Sequence, residues 1–320
     1  MPTLRFASLI LFPALLLAQG RGAPGRRVLV DAHNCYPEGD KWGNRLERAL
    51  SLRLPIAIEQ DLVWLEDPKS GFFRSIVSHG KPFTGREPGL RGHFFERIRP
   101  IMERHLGNQT SAEWPILVLN LEFKTKERAH LEAVWRLLGD YEPWLTTAER
   151  TAGASEAAPL DLKPLLILTG DSDEEQAVFH DALPVGKRLR LFGAVKPAEE
   201  PKAHVPPASM VSRRATNYRR WWNNPWAVIE DGGPQEAGDW TAEDQRRLKD
   251  IVGHAHSLGL WIRFYTLNGH APGQGQGWNE KYNFGSAEAV RKRWSAARQA
   301  GADFISTDQY EELARFLDEQ

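Results

Sequence analysis

The sequence predicts an α/β fold, a (β/α)8 TIM barrel. Three observations carry that prediction: eight short runs rich in Val, Ile and Leu, amphipathic stretches of helical length between them, and reactive side chains at the ends of several runs. Near-continuous apolar runs alternating with helices indicate a parallel sheet covered on its outer face. Eight such runs in one domain indicate a closed barrel.

The predicted strands, in order, are 28–31 (VLVD), 56–59 (IAIE), 75–78 (SIVS), 116–122 (ILVLNLE), 165–169 (LLILT), 189–195 (LRLFGAV), 260–266 (LWIRFYT) and 303–307 (DFIST). Residues 226–230 (WAVIE) are a ninth candidate, so the interval between Leu189 and Leu260 admits two assignments. Helices are predicted over 44–52, 92–105, 126–138, 173–183, 212–222, 241–258, 286–300 and 308–318. Thr241 followed by Asp244 approaches a capping box, and Ser286 opens the next helix. Between Glu59 and His79 no helix is predicted, so the barrel is expected to be irregular between strands 2 and 3. The small polar segment 151–159 (TAGASEAAP) and the proline-rich segment 196–207 (KPAEEPKAHVPP) read as loops. Strands of one kind continue on both sides of them, so neither marks a domain boundary.

Residues 1–18 read as a secretory signal peptide, 19–26 as a short linker and 27–320 as the barrel domain. Arg5 precedes the uncharged apolar run 6–18 (FASLILFPALLLA), which is shorter than the roughly 20 residues a membrane span needs. The expected location is therefore secreted or periplasmic. Lys and Arg total 41 against 42 Asp and Glu, a formal net charge of -1, which excludes a global electrostatic footprint for nucleic acid. With 41% hydrophobic and 26% charged residues the composition suits one large globular domain. The single cysteine, Cys35, forms no internal disulfide and reads as a small packing residue.

Active sites of such barrels lie at the carboxyl ends of the strands. His33 and Asn34 follow VLVD, Glu59 and Asp61 end IAIEQD, His79 follows SIVS, and Glu122 ends ILVLNLE with Lys124 two residues on. Strand residues i and i+2 share a face, so Glu59 with Asp61, and Glu122 with Lys124, can each aim into one lumen. Convergent carboxylates repel unless a cation lies between them. Asn34, Glu59, Asp61 and Glu122 offer an all-oxygen set that suits one divalent ion, Ca2+ or Mg2+, rather than zinc. The competing reading is an ion-pair network neutralised by Lys124 and nearby arginines. His33 and His79, beside these carboxylates, suit proton transfer near neutral pH. The other eight histidines read as surface or packing residues.

DAHNCYP, followed by PIAIEQDLVW, SHG and LNLEFKT, resembles the PLC-like phosphodiesterase superfamily, which includes phosphoinositide-specific phospholipases C and glycerophosphodiester phosphodiesterases. The resemblance covers 28–125 and continues through RFYTLNG and GADFISTD. It implies a His at 33, the E-x-D pair Glu59 and Asp61, a second His at 79 and the acidic residue Glu122. The glycerophosphodiesterase branch usually opens His-Arg, whereas His33-Asn34 resembles the His-Asn of calcium-dependent phospholipases C, where the Asn ligates the metal. A less characterised group with an S-H-N-D-Y opening also fits. The implied activity is hydrolysis of a glycerol- or inositol-type phosphodiester, with a cyclic phosphate formed first if a neighbouring hydroxyl attacks. Lys124 is then the expected phosphate-binding charge, and Arg263 and Tyr265, on one face of LWIRFYT, are expected to complete the substrate wall.

Trp221, Trp222 and Trp226 in RRWWNNPW, beside several arginines, admit two readings: a peripheral membrane contact for a lipid substrate, or core packing beside a solvated basic turn. Two further functional classes are weighed. A glycoside hydrolase would use Glu59 and Glu122 as its carboxylate pair, but the histidines and Lys124 suit it poorly. An inactive binding protein on the same barrel would have no need of the whole constellation.

Overall fold

The computed structural model describes residues 22–67, 70–107, 114–153 and 155–319. Eight parallel strands run β1 (Leu29–Ala32), β2 (Ile56–Glu66), β3 (Leu117–Phe123), β4 (Leu165–Thr169), β5 (Phe192–Ala194), β6 (Arg219–Pro225), β7 (Trp261–Tyr265) and β8 (Phe304–Thr307). Each pairs with its chain neighbour. Leu29 to Ala32 pair in turn with Phe304 to Thr307, and this last ladder closes the cylinder. The predicted (β/α)8 barrel is present. The proposed signal segment lies outside the described residues. No helix among the described residues is long and apolar enough to cross a membrane.

Side-chain alternation sorts the strands into two packed layers. Leu29, Ala57, Val118, Leu166, Trp221, Trp261 and Phe304 meet one another in the lumen. Their neighbours Val30, Ile58, Leu117, Ile167, Trp222, Ile262 and Ile305 face outward into the shell formed with the helices. Both faces are buried, which is why these strands read as continuous apolar runs. Two residues further along, the lumen changes character: Asp31, Glu59, Asn120, Asn223, Arg263 and Ser306 follow the apolar floor at i+2. A dry floor below a polar upper layer places the chemistry at the carboxyl ends.

Two predicted elements are corrected. Residues 75–78 belong to no barrel strand: β2 runs eleven residues and leaves the barrel. Its ladder to β1 ends at Ile58 with Ala32, and from Leu62 onward that edge is taken by the antiparallel strand Phe73–Val77, while the ladder to β3 runs on to Phe123. The expected irregularity between strands 2 and 3 is therefore a β-hairpin. Residues 212–222, predicted as a helix, instead run as a loop into the first half of β6, and 226–230 is no strand but opens with a 3-10 turn over Trp226–Val228. Trp221 fills the lumen and Trp222 the shell, so no period of two was visible in the aromatic run. Pro225 stops any helix there.

The same burial overturns the membrane assignment. Trp221, Trp222 and Trp226 are each no more than 1% exposed. The Trp221 indole donates to the Thr169 carbonyl at 2.9 Å and that of Trp226 to Glu230 at 2.7 Å. They are core residues of the barrel and offer nothing to a lipid surface. At the opposite end from the mouth, two glycines of the expected linker are tied to the barrel: Gly25 N–H donates to Asp303 at 2.7 Å, and the Gly22 carbonyl accepts from the Trp261 indole at 2.9 Å.

Helices fall close to their predicted places. Those used below are α1 (Arg45–Leu50), α2 (Glu96–Gly107) and α3 (Arg128–Gly139). The helix Ala242–Ser257 begins with the capping box of Thr241 and Asp244.

Candidate active site

Strand register brings the acidic residues together. Asp61 on β2 lies opposite Glu122 on β3, and Glu59 lies opposite Asn120 one step deeper. Carboxylate oxygens of Glu59, Asp61 and Glu122 fall within 4.8 Å of one another. Glu59 and Asp61 are buried, while Glu122 is half exposed at the rim.

Each carboxylate already has a cationic neighbour. Arg263 Nη2 donates to Glu59 Oε2 at 2.8 Å, and its Nε donates to Asp31. Lys124 Nζ lies 2.9 Å from Asp61 Oδ2 and also donates to Glu122 Oε1. Burial disfavours the Glu59 charge, but Arg263 and His33 outweigh it and hold the carboxyl at about 2. Asp61 moves the other way: burial, and then the charges of Glu122 and Glu59, push it well above the usual carboxylate range. Its Oδ1 is buried without any hydrogen-bond partner. An unpartnered buried carboxylate oxygen is costly, and its placement within this triad fits a set of ligands for a hard cation.

The first strand supplies the rest. Asn34 has a left-handed backbone, φ 44°, which turns the chain across the mouth. Its amide N–H donates to Glu59 Oε2 at 3.3 Å. The Tyr36 hydroxyl lies 2.8 Å from Asn34 Oδ1 and 2.6 Å from Asp61 Oδ2, joining the two. Asn34 thus sits beside Glu59 and Asp61, its side-chain oxygen against the Tyr36 hydroxyl.

His33 is 5% exposed. Its Nδ1 is 3.3 Å from Asp308 Oδ1 and its Nε2 is 3.8 Å from Glu59 Oε2. Burial opposes a proton on the ring, yet Glu59 and Asp308 outweigh it and raise the His33 pKa. His79 stands exposed on the loop after the antiparallel strand, its ring 5.5 Å from that of Trp278. Partial burial and the Lys124 charge lower its pKa.

Arg263, expected on the substrate wall, lies one layer below it. The guanidinium is 2% exposed and bonded to Asp31, Glu59, Asn223 at 3.0 Å and Ser306 at 2.7 Å. It serves as the buried counter-charge of Glu59 and Asp31. Tyr265 lies above it, with the guanidinium 5.4 Å from the ring centre.

Sequence reading missed four contributors. Asp308 accepts from Arg45 at 3.0 Å, Asn268 at 2.6 Å and the Trp278 amide at 2.8 Å besides its contact with His33. Arg45 of α1 also reaches the carbonyls of His33 and Asn34. Tyr282 packs edge-on against His33 at 5.3 Å, and Trp278 against Tyr36 at 5.1 Å. Applying the mouth rule evenly to the last strand would have found Asp308, which follows DFIST as His33 follows VLVD. Nothing in the sequence distinguishes Arg45 from a surface helix residue. Cys35 is buried, and burial pushes its thiol up, so it is no nucleophile.

No family model and no curated protein matches the sequence. Among solved structures, the chain is similar to a glycerophosphoryl diester phosphodiesterase from Parabacteroides distasonis, with 13% identity over 94% of this chain and 90% of that one and a TM-score of 0.46. It is also similar to a calcium-dependent phosphoinositol-specific phospholipase C from a Pseudomonas species, with 13% identity over 92% of each chain and a TM-score of 0.50. At that identity the second likeness speaks to fold. What the chain shares with that phospholipase C is the fold, a closed (β/α)8 barrel.

Proposed function

We propose that this protein is a metal-dependent phosphoric diester hydrolase acting on a glycerol- or inositol-type phosphodiester. The observation that carries the reading is the unpartnered Asp61 Oδ1 in the Glu59–Asp61–Glu122 triad, beside a His33 held by Asp308. Charge supports it: when all are ionised, the five carboxylates of Asp31, Glu59, Asp61, Glu122 and Asp308 meet three fixed cations, Arg45, Lys124 and Arg263. The carboxylates outnumber these cations, which suits a further positive charge at the site.

Asn34, Glu59, Asp61 and Glu122 would hold that ion, calcium or magnesium. When bound, it supplies charge neutralisation at a nonbridging phosphate oxygen and a lower pKa for an attacking hydroxyl or water. His33 Nε2, the ring nitrogen away from Asp308, is positioned to move a proton at the diester. His79 flanks the same space from the hairpin side and serves as the second proton-transfer group. Lys124 supplies positive charge for the phosphate, and Tyr265 lines the wall. Secretion or a periplasmic location accords with the apolar segment 6–18.

A glycosidase needs one carboxylic acid with a raised pKa to protonate the leaving group. Glu59, held at about 2 by Arg263, is unsuited to that part, and a Glu59–Glu122 pair would leave His33 with its Asp308 contact, and Lys124, without a role. The test is phosphorus NMR of chelated and metal-reloaded protein against a panel of phosphodiesters. Turnover that needs the metal and disappears in His33→Ala and His79→Ala is expected. Full activity in either variant would overturn the proton-transfer assignment.

A further inference from the structure

The cation site described above already has an occupant. Lys124 Nζ bridges Asp61 and Glu122, two of the three carboxylates that form the triad. Calcium and magnesium bind oxygens at about 2.0–2.6 Å, so an ion held by both residues would lie within a few ångströms of the ammonium. Two cations so close repel by several times the thermal energy even at an effective dielectric near 20, by roughly Coulomb's law. They do not share these ligands.

We infer that Lys124 is a tethered cation that a divalent ion must displace from Asp61 and Glu122 before it can bind. The inference rests on the metal-dependent reading of this site. The geometry permits the exchange. The Lys124 backbone is pinned by its N–H donating to the Leu62 carbonyl at 2.9 Å, so only the side chain has to move. That side chain is 21% exposed, which gives the ammonium a route to the rim. Arg263 has no such freedom, being fully buried and bonded on four sides. Glu59 therefore keeps its partner while Asp61 and Glu122 change theirs.

The displaced ammonium stays on its tether at the mouth, where a phosphate oxygen is its natural next partner. Metal loading and phosphate binding are thereby coupled through one side chain. Before loading, Lys124 keeps the acidic cluster neutralised; afterwards it is released for substrate.

The experiment is calorimetric titration of calcium and of magnesium, without substrate and in phosphate-free buffer, into the unmodified protein, Lys124→Met and Lys124→Arg. Lys124→Met is expected to bind roughly tenfold or more tightly than the unmodified protein, since the competing charge is gone. Lys124→Arg, which keeps the charge, is expected to stay near the unmodified value. Equal or weaker binding by Lys124→Met overturns the displacement while leaving the metal reading intact. Absence of binding to all three proteins overturns both. A second measurement needs no variant: the Lys124 ammonium resonance, protected by its two carboxylates, is expected to shift and broaden on metal addition. An unchanged resonance at saturation overturns the displacement.

Discussion

Asp308 Oδ1 and His33 Nδ1 lie 3.3 Å apart although 275 residues separate them in the chain. The contact links the end of β8 to the end of β1 and leaves Nε2 as the ring nitrogen facing Glu59. With the carboxylate accepting from Nδ1–H, the tautomer and orientation of the imidazole are set together.

Asp308→Asn is accordingly expected to lower kcat for a phosphodiester by roughly 10²–10⁴-fold, the range typical of a misplaced acid-base group. It also removes a charge from beside buried Arg45, at a cost on the order of 3 kcal/mol. Steady-state kinetics at a temperature well below the unfolding transition, together with urea unfolding, separates the two effects. Unchanged kcat would remove Asp308 from the site.

Glu122→Gln tests the metal set without disturbing the core, because this residue is half exposed. Stability is expected to change by no more than about 0.5 kcal/mol. Divalent-ion affinity is expected to fall by roughly tenfold or more, at least the loss seen for outer-shell partners of metal ligands. An unchanged metal titration removes Glu122 from the ligands.

The tryptophans of β6 make a prediction about stability rather than lipid. Trp222 is fully buried in the shell, so Trp222→Ala is expected to cost about 3–5 kcal/mol in chemical unfolding. On anionic vesicles the emission of the unmodified protein and of Trp222→Phe is expected to change equally. A vesicle-induced blue shift that Trp222→Phe abolishes would contradict the buried assignment.

Acid is expected to destabilise the fold through buried neutral histidines. His130 on α3 faces the antiparallel strand, its Nε2 2.8 Å from the Ser75 hydroxyl and its ring stacked on Trp64 at 5.3 Å. Burial lowers His130 to about 4, and burial with Arg97 lowers His93 to about 4 as well. In the unfolded chain both titrate near 6.5, so between these values the unfolded chain binds the extra protons and stability falls as pH falls. Each contributes on the order of 3 kcal/mol, present in full above about pH 6.5 and lost by about pH 4. Urea unfolding from pH 7.5 to 4 is expected to show this slope, and His130→Gln is expected to flatten it. An equal slope in the variant removes His130 as a cause.

Much of the site was legible because strand ends are marked by polar residues that interrupt apolar runs. His33, Asn34, Glu59, Asp61 and Glu122 stand at such interruptions, and the i,i+2 spacing carries their common direction. Arg263 was recognised as facing inward, but its depth is a property of register: it lies level with Phe304, below the mouth. Asp308 stands at such an interruption too, but its pairing with His33 and with Arg45 spans more than 260 residues, which no local pattern encodes. SIVS was misplaced because a strand outside the barrel has the same apolar composition as one within it. RRWWNNP was misplaced because large aromatics filling both layers leave no periodicity to read.

Closure of the barrel between β1 and β8 has a bearing on biosynthesis. During synthesis the first strand leaves the ribosome long before the last, so for most of the time the chain is being made His33 lacks its carboxylate and the lumen lacks a wall. A chain cut short before residue 308 would carry both histidines and the entire acidic triad and still lack a finished centre. The centre is therefore incomplete until the turn that follows β8 is in place.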